Sequence, residues 1–123
     1  MDYIKLIEVV NETDSMIESK LILKKPVSNH LNTFHAGVLF IFSEWIAKKI
    51  IKKIEKKENI DIFLKVGKVY YLKPAKGEIF IKLSVNDCES TSKNRYNIIV
   101  NICDSDNSVV TKTDLNFIVK EKK

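Results

Sequence analysis

The residues best suited to chemistry lie in a polar stretch and in the apolar segment that follows it. Residues 29–37 read Asn-His-Leu-Asn-Thr-Phe-His-Ala-Gly and include both histidines of the chain, His30 and His35. In the apolar segment, residues 36–47, Glu44 is the only charged side chain. An ionised carboxylate among apolar groups is costly unless it is paired, hydrogen-bonded or neutralised by a raised pKa, and such groups concentrate in active sites. The pattern therefore indicates Glu44 as a candidate catalytic residue.

A helix is predicted to begin near His35, and its start is a second candidate for chemistry. Pro26 and Ser28 mark a loop before it, and Gly37 allows another group to approach the backbone closely. The first N–H groups of a helix have no partner within the helix, and the helix dipole is positive at this end. Such an end suits a developing oxyanion.

The spacing of these two features constrains the site. Glu44 follows His35 by nine residues. On a regular helix this spacing is about 13 Å along the axis and about 180° around it. One subunit cannot easily bring the two together. If they cooperate, we expect a two-fold dimer in which the loop of one chain faces the helix of the other. The alternative is that Glu44 and the loop are unrelated.

Length and composition predict one soluble domain. The chain has 123 residues. That is enough for a single domain over residues 1–119 that buries roughly two thirds of its unfolded surface. Residues 120–123 are expected to form a disordered basic tail. Charges are scattered through the first residues and Glu44 interrupts the longest apolar run, so we expect no signal peptide, no membrane span and a cytoplasmic location.

Neither the cysteines nor the net charge indicates another class of function. Cys88 and Cys103 lack the spacing of a metal site, so we expect no metal and no cofactor. The chain carries 21 basic and 16 acidic residues, but Arg95 is its only arginine, and arginine is the residue favoured for phosphate and base contacts. We therefore expect no nucleic-acid partner. The lysines at positions 48–57 stand beside isoleucines and predict a solvated helix face.

The rest of the chain predicts strands, because β-branched and apolar residues alternate with polar ones. The expected order is β-β-α-β-β-β-β, an antiparallel sheet that curls around a helix whose first half is apolar on every side. Trp45, Tyr70 and Tyr71 are expected in the core. The helix is predicted to end between residues 57 and 59, and a loop is predicted at 87–94. Six strands are predicted at residues 3–10, 16–23, 62–72, 79–85, 96–103 and 109–119.

This order resembles the hotdog fold, an α+β fold in which a curved antiparallel sheet wraps around one long central helix. The helix start is similar to the motif of acyl-CoA thioesterases related to phenylacetyl-CoA and 4-hydroxybenzoyl-CoA thioesterases, Asn-x-x-Gly-x-x-His-Gly-Gly with an acid seven residues later. Asn32 and Ala36 stand where two of these glycines are usual. Further along the chain, residues 71–79 are similar to the strand-turn-strand that follows the helix in this family. The remaining motif positions match: Asn29, His35, Gly37 and Glu44.

The resemblance implies a thioesterase that hydrolyses an acyl-CoA or acyl-carrier thioester, with coenzyme A as part of the substrate. The backbone N–H of Ala36 would bind the carbonyl oxygen, while Asn29 and His35 help position substrate or water. Glu44 of the partner chain would be the general base, or less often a nucleophile that forms an anhydride. The resemblance also implies a homodimer or a dimer of dimers. Substrate contacts are expected from residues beside the motif and from two lysines near the coenzyme A phosphates: Thr33, Phe34, Gly37, Lys73 and Lys76.

Other interpretations stay open. A hotdog module could bind acyl thioesters without cleaving them, because the same pocket serves both uses. A hotdog dehydratase also pairs a histidine with a glutamate, and His30 stands at a similar separation from Glu44, but the His-Phe-Pro-Gly signature of dehydratases is missing. His35 and Asn29 also have a simpler interpretation, in which they cap the helix and stabilise the loop.

Overall fold

The structure, a computed structural model, describes residues 3–22 and 34–122. Short 3-10 turns at Tyr3–Leu6 and Val85–Asp87 precede the first and the fifth strand. The described elements are, in chain order, β1 (Glu8–Glu12), β2 (Met16–Ile22), α1 (Ala36–Glu55), β3 (Ile60–Tyr71), β4 (Glu78–Ser84), β5 (Cys88–Ser92), β6 (Arg95–Asp104) and β7 (Val109–Glu121).

The strands form one antiparallel sheet in the order β1-β2-β4-β6-β7-β3, with β5 beside β6. The longest ladder joins β3 and β7 and runs from Ile60 opposite Glu121 to Tyr71 opposite Thr111. Strands β6 and β7 are connected by a tight turn, in which the Asp104 carboxylate accepts hydrogen bonds from the Asp106 and Ser108 backbone N–H groups, both at 3.0 Å. One long helix on a curved antiparallel sheet confirms the predicted α+β architecture.

Several segments differ from the sequence prediction. Tyr3–Leu6, predicted as part of the first strand, form a 3-10 turn, and β1 begins only at Glu8. The helix ends at Glu55, before the predicted end between residues 57 and 59, because Lys56 adopts a left-handed conformation. Residues 87–94, predicted as a loop, contain β5, whose exposed polar side chains show no apolar alternation that could have revealed a strand. Lys120 and Glu121 were expected in a disordered tail, but they extend β7 and lie opposite Asp61 and Ile60 of β3. The tail prediction is wrong for these two residues, because backbone pairing continues beyond the last apolar side chain.

The helix packs on one face of the sheet, and the two surfaces form a single core. On β2, β4, β6 and β7 alternate residues are buried against the helix, such as Ile17 and Leu21 on β2 and Ile79 and Ile81 on β4. The buried residues of α1 recur at helical spacing, as a sheet-facing side requires: Val38, Leu39, Phe42, Ser43, Ile46, Ala47, Ile50 and Ile51.

The opposite side of the apolar segment is only half-buried. Phe40, Ile41, Glu44 and Trp45 lie there and keep part of their surface exposed. The prediction of a helix buried on every side therefore holds for the sheet-facing side alone, because one sheet layer covers one side of a helix. No helix in residues 3–22 and 34–122 has the length and apolar character to cross a membrane.

A close approach between the helix and β3 requires the glycine at position 67. A Cβ atom there would lie 3.0 Å from Cε2 and 3.1 Å from Cζ of Phe40, closer than side chains normally pack. The Phe40 ring therefore rests against the backbone of β3. This contact sets how near the half-exposed side of α1 comes to the strand at the edge of the sheet.

Replacing Gly67 with valine should destabilise the protein, because the new side chain must displace the Phe40 ring. Overpacking of this kind costs about 1–3 kcal/mol of unfolding free energy, which urea denaturation would measure. The double variant Phe40→Ala, Gly67→Val should regain part of that loss. Lys68→Val, at an exposed neighbour on the same strand, is the control for a change in strand propensity. A Gly67→Val protein as stable as the wild type would contradict the contact.

Candidate active site

The start of α1 leaves a backbone donor open to its surroundings. His35 is the N-cap residue, and its Nδ1 accepts a hydrogen bond from the Gly37 N–H at 3.1 Å. Its carbonyl accepts from Val38 and Leu39 at 3.0 and 3.3 Å. The simpler interpretation of His35, as a cap, is thus confirmed. Within the described residues no atom accepts a hydrogen bond from the Ala36 N–H. Because this group lies at the positive end of the helix dipole, it is the donor suited to an oxyanion.

Two contacts with the connection between β3 and β4 hold the helix start in place. The Phe34 N–H donates to the Ala75 carbonyl at 2.8 Å, and both residues are buried. The Tyr71 hydroxyl donates to the Ala36 carbonyl at 3.3 Å. Tyr70 and Tyr71 are predicted in the core, and this prediction is wrong: the two residues are 49% and 53% exposed, because they lie at the end of a strand at the edge of the sheet.

Glu44 lies at a groove between the helix and the first residues of β3. Its side chain is 27% exposed, and its Oε2 lies 3.2 Å from Nζ of Lys48. The expectation of a carboxylate isolated among apolar groups is therefore corrected: a lysine one helical turn away pairs with it. The Glu44 to Lys48 spacing of i, i+4 was a signal for this pair in the sequence. The groove has a volume of about 360 Å³, and its apolar lining comes from Ile4, Ile41, Trp45, Ile60 and Ile62.

Within one protomer, Glu44 and the helix start are separate. The helix is continuous from Ala36 to Glu55. Eight residues therefore place Glu44 about 12 Å along the axis from Ala36. A single chain does not bring the carboxylate to the open N–H, so a site that uses both groups needs a second copy of the chain.

The two lysines expected near phosphates flank Ala75, close to the helix start. Lys73 lies 3.3 Å from the Asp104 carboxylate. Hydrogen bonds from the Ser108 backbone N–H and from Lys73 hold the pKa of Asp104 below its usual value, so this carboxylate stays ionised at neutral pH. Lys73, Lys76 and Asp104 line one shallow depression on the surface. An anionic ligand at Lys73 must therefore compete with Asp104.

The structure accounts for part of the predicted site. It brings Phe34, His35, Ala36 and Gly37 together at the helix start and leaves Glu44 on the side of the helix. Asn29 and Thr33, together with His30, lie outside the described residues, and their roles stay predictions. The contacts of Tyr71 and Ala75 with the helix start were not predicted. The similarity of residues 71–79 to a known family segment was the only signal for them.

The cysteines have the properties of structural residues. Burial raises the pKa of the Cys88 thiol to about 12, and burial also raises that of Cys103. Both thiols therefore stay protonated at neutral pH, where only a thiolate would be an effective nucleophile or metal ligand. Among the described residues no group of histidine, cysteine and acidic side chains is arranged to hold a metal ion.

Replacing His35 with alanine should destabilise the helix start, because the Gly37 N–H loses its acceptor. Loss of an N-cap side chain typically costs about 0.5–2 kcal/mol of unfolding free energy, which urea denaturation would detect. His35→Asn supplies a side-chain oxygen that caps well and should keep most of the stability. A His35→Ala protein as stable as the wild type would contradict the capping role.

The fold matches that of solved structures described as thioesterases or bound to coenzyme A compounds. A thioesterase from Haemophilus influenzae is similar with a TM-score of 0.82 at 16% identity, over 97% of this chain and 82% of that one. A hypothetical thioesterase from Streptococcus pneumoniae with coenzyme A has a TM-score of 0.79 at 17% identity, over 97% and 89% of the two chains. The smu.793 protein from Streptococcus mutans, bound to acetyl-CoA, has a TM-score of 0.75 at 16% identity, over 95% and 90%.

These likenesses establish the hotdog fold that the sequence resemblance implied. No protein with curated functional data matches the sequence significantly. Residues 6–119 match the family described as Domain of unknown function (DUF4442). The chain therefore belongs to the DUF4442 family and has the hotdog fold of the thioesterases it resembles.

Proposed function

We propose that this protein is a thioesterase that hydrolyses acyl thioesters of coenzyme A or of an acyl carrier. The observation that carries the proposal is the Ala36 N–H, which lies at the positive end of α1 and has no acceptor in the described part of the chain. A thioester carbonyl oxygen placed there would gain a hydrogen bond that strengthens as negative charge develops. The shared fold of a protein bound to acetyl-CoA supports this choice of substrate.

The separation of Glu44 from Ala36 supports a dimer. Strand β3 lies at the edge of the sheet and pairs with β7 alone among the described strands. Its exposed side chains include Phe63, Val66 and Tyr70. A long apolar edge strand is a surface on which another chain can pair. We therefore infer a two-fold dimer through β3, in which Glu44 of each chain faces Ala36 of its partner.

In this dimer, Glu44 acts as the general base. Its carboxylate takes a proton from a water molecule as the water oxygen attacks the thioester carbon, while the Ala36 N–H stabilises the oxyanion. The tetrahedral intermediate then breaks the C–S bond, the sulfur takes up a proton, and a carboxylic acid and a thiol are released. The ion pair with Lys48 holds the carboxylate in place. In the alternative route, the carboxylate attacks the carbonyl carbon and forms an anhydride that water hydrolyses.

The remaining site residues shape the helix start. His35 supports it through the hydrogen bond to Gly37, and in this proposal Asn29 positions the substrate or the water. The thioester would be bordered, on either side of the Ala36 N–H, by Thr33, Phe34 and Gly37.

One observation favours a second function, the binding of acyl thioesters without hydrolysis. The Glu44 carboxylate already forms an ion pair with Lys48, so a water molecule must compete with the lysine for the carboxylate oxygens. Thiol release and acyl-CoA binding distinguish the two functions. Binding with no release of thiol above the uncatalysed rate would establish the second.

Two variants should abolish hydrolysis while the protein remains folded. Glu44→Gln removes the base and should lower thiol release from acyl-CoA substrates by about 10²- to 10⁴-fold. Ala36→Pro removes only the N–H at the first helical position, and should lower the rate by about 10²-fold or more. Proline is well tolerated there, and His35, with φ −63° and ψ 134°, already has the backbone conformation that precedes proline. Ala36→Ser keeps the N–H and is the matched control. Wild-type activity in Glu44→Gln or Ala36→Pro would exclude that group from the mechanism.

Mixing the two inactive variants tests the shared site. In a dimer that combines Glu44→Gln with Ala36→Pro, one of the two sites has an intact base and an intact donor. Refolding an equal mixture should therefore restore about one quarter of the wild-type activity, because about half of the dimers are mixed. No recovery, or an active monomer by light scattering, would show that the two groups do not meet across a dimer interface.

A further inference from the structure

The groove beside Glu44 continues along α1, and its lining changes from apolar to basic. Near Glu44 the walls are Ile41, Trp45 and Ile62. Further along they are lysines, three from the helix and one from the end of the chain: Lys48, Lys49, Lys52 and Lys122. From Ile41 to Lys52 the helix advances about 16 Å, so the groove is long enough for an extended chain of several carbons.

The charges in the groove do not balance. Lys48 pairs with Glu44 at 3.2 Å, and Lys122 pairs with Asp61 at 3.7 Å. In residues 3–22 and 34–122 no carboxylate lies within ion-pair distance of Lys49 or Lys52. Nζ of Lys49 lies 5.5 Å from the centre of the Trp45 ring, a cation–π distance that keeps its charge beside the apolar wall. The groove therefore carries two positive charges that an anionic ligand could pair with.

We propose that this groove binds the acyl group and that the acyl group carries a carboxylate at its far end, as in the thioester of a dicarboxylic acid. The inference rests on the proposed thioesterase function. Lys49 and Lys52 lie about 8 and 12 Å beyond Glu44 along the helix, where the far end of a medium-length acyl chain would be. The isoleucine and tryptophan walls suit its methylene groups. Beside the isoleucine side chains, the amides of the coenzyme A arm would lack hydrogen-bond partners.

Two thioesters of equal chain length test the proposal. The wild-type protein should hydrolyse octanedioyl-CoA with a kcat/KM about tenfold higher than octanoyl-CoA, the worth of a hydrogen bond to a charged group. In the double variant Lys49→Met, Lys52→Met this ratio should fall to about one. The matched control is Lys82→Met, Lys112→Met, which removes two exposed lysines from strands outside the groove and should keep the wild-type ratio. An equal or lower rate with octanedioyl-CoA in the wild type would overturn the proposal.

The coenzyme A phosphates are the other anions that these lysines could bind. The N-acetylcysteamine thioesters of the same two acids lack the nucleotide, and the proposal predicts the same preference for the dicarboxylic substrate. The proposal is wrong if the Lys49→Met, Lys52→Met variant loses the same fraction of activity with both CoA thioesters but keeps full activity with both N-acetylcysteamine thioesters. That result would show that the two lysines bind phosphate.

A binding measurement separates this proposal from the proposed function. Titration calorimetry should show the monoamide of octanedioic acid binding more tightly than octanamide to the wild-type protein, with the difference lost in the Lys49→Met, Lys52→Met variant. If no thioester is hydrolysed, the thioesterase function fails, yet this binding difference would still support the groove. Equal affinity for the two amides would overturn the proposed preference of the groove for a carboxylate, whether or not the protein is active.

Discussion

A single sheet covers only one side of the helix that packs on it, and the rest of this molecule follows from that constraint. The sheet-facing side of α1 and the inner residues of the strands bury each other, which supplies the main apolar core. The opposite side holds Phe40, Ile41 and Trp45 half-exposed beside the edge strand β3. Glu44 tolerates its apolar neighbours because this side stays open to solvent and to Lys48. The same openness gives the protein a groove and an edge where a second chain could pair.

The helix start shows how backbone hydrogen bonds decide which group is free for chemistry. The early N–H groups of a helix need acceptors outside the regular ladder. At this helix the His35 side chain accepts a hydrogen bond from the Gly37 N–H, and the His35 carbonyl accepts hydrogen bonds from the Val38 and Leu39 N–H groups. Ala36 is left with an open donor in the described chain. Contacts from Tyr71 and Ala75 hold this start at the end of β3. The donor is therefore fixed in position before any substrate binds, which is what electrostatic stabilisation of an oxyanion requires.

The lysines of the second half of the helix have distinct roles, although their sequence pattern predicted one solvated face. Lys53 donates to the Glu12 carboxylate at 2.7 Å and to the Thr13 carbonyl at 2.9 Å, which ties the helix to the turn between β1 and β2. Lys57 pairs with Glu121 at 2.7 Å, and the hydrogen bond with that carboxylate raises the pKa of Lys57. Lys49 and Lys52 face the groove. A spacing pattern shows which side of a helix is polar, but it does not show which acids the fold brings to that side.

Local patterns in the sequence determined the helix, most of the strands and the two candidate groups of the site. The helix begins one residue after His35, because capping and apolar spacing act over a few neighbouring residues. Glu44 was recognisable because a lone carboxylate in an apolar segment is unusual. Only the tertiary structure decided that Glu44 borders an open groove beside β3, that Tyr71 is exposed and contacts the helix start, and that β7 continues through Glu121. These outcomes depend on which strand lies at the edge of the sheet and on contacts between residues far apart in the chain, and local spacing carries little information about either.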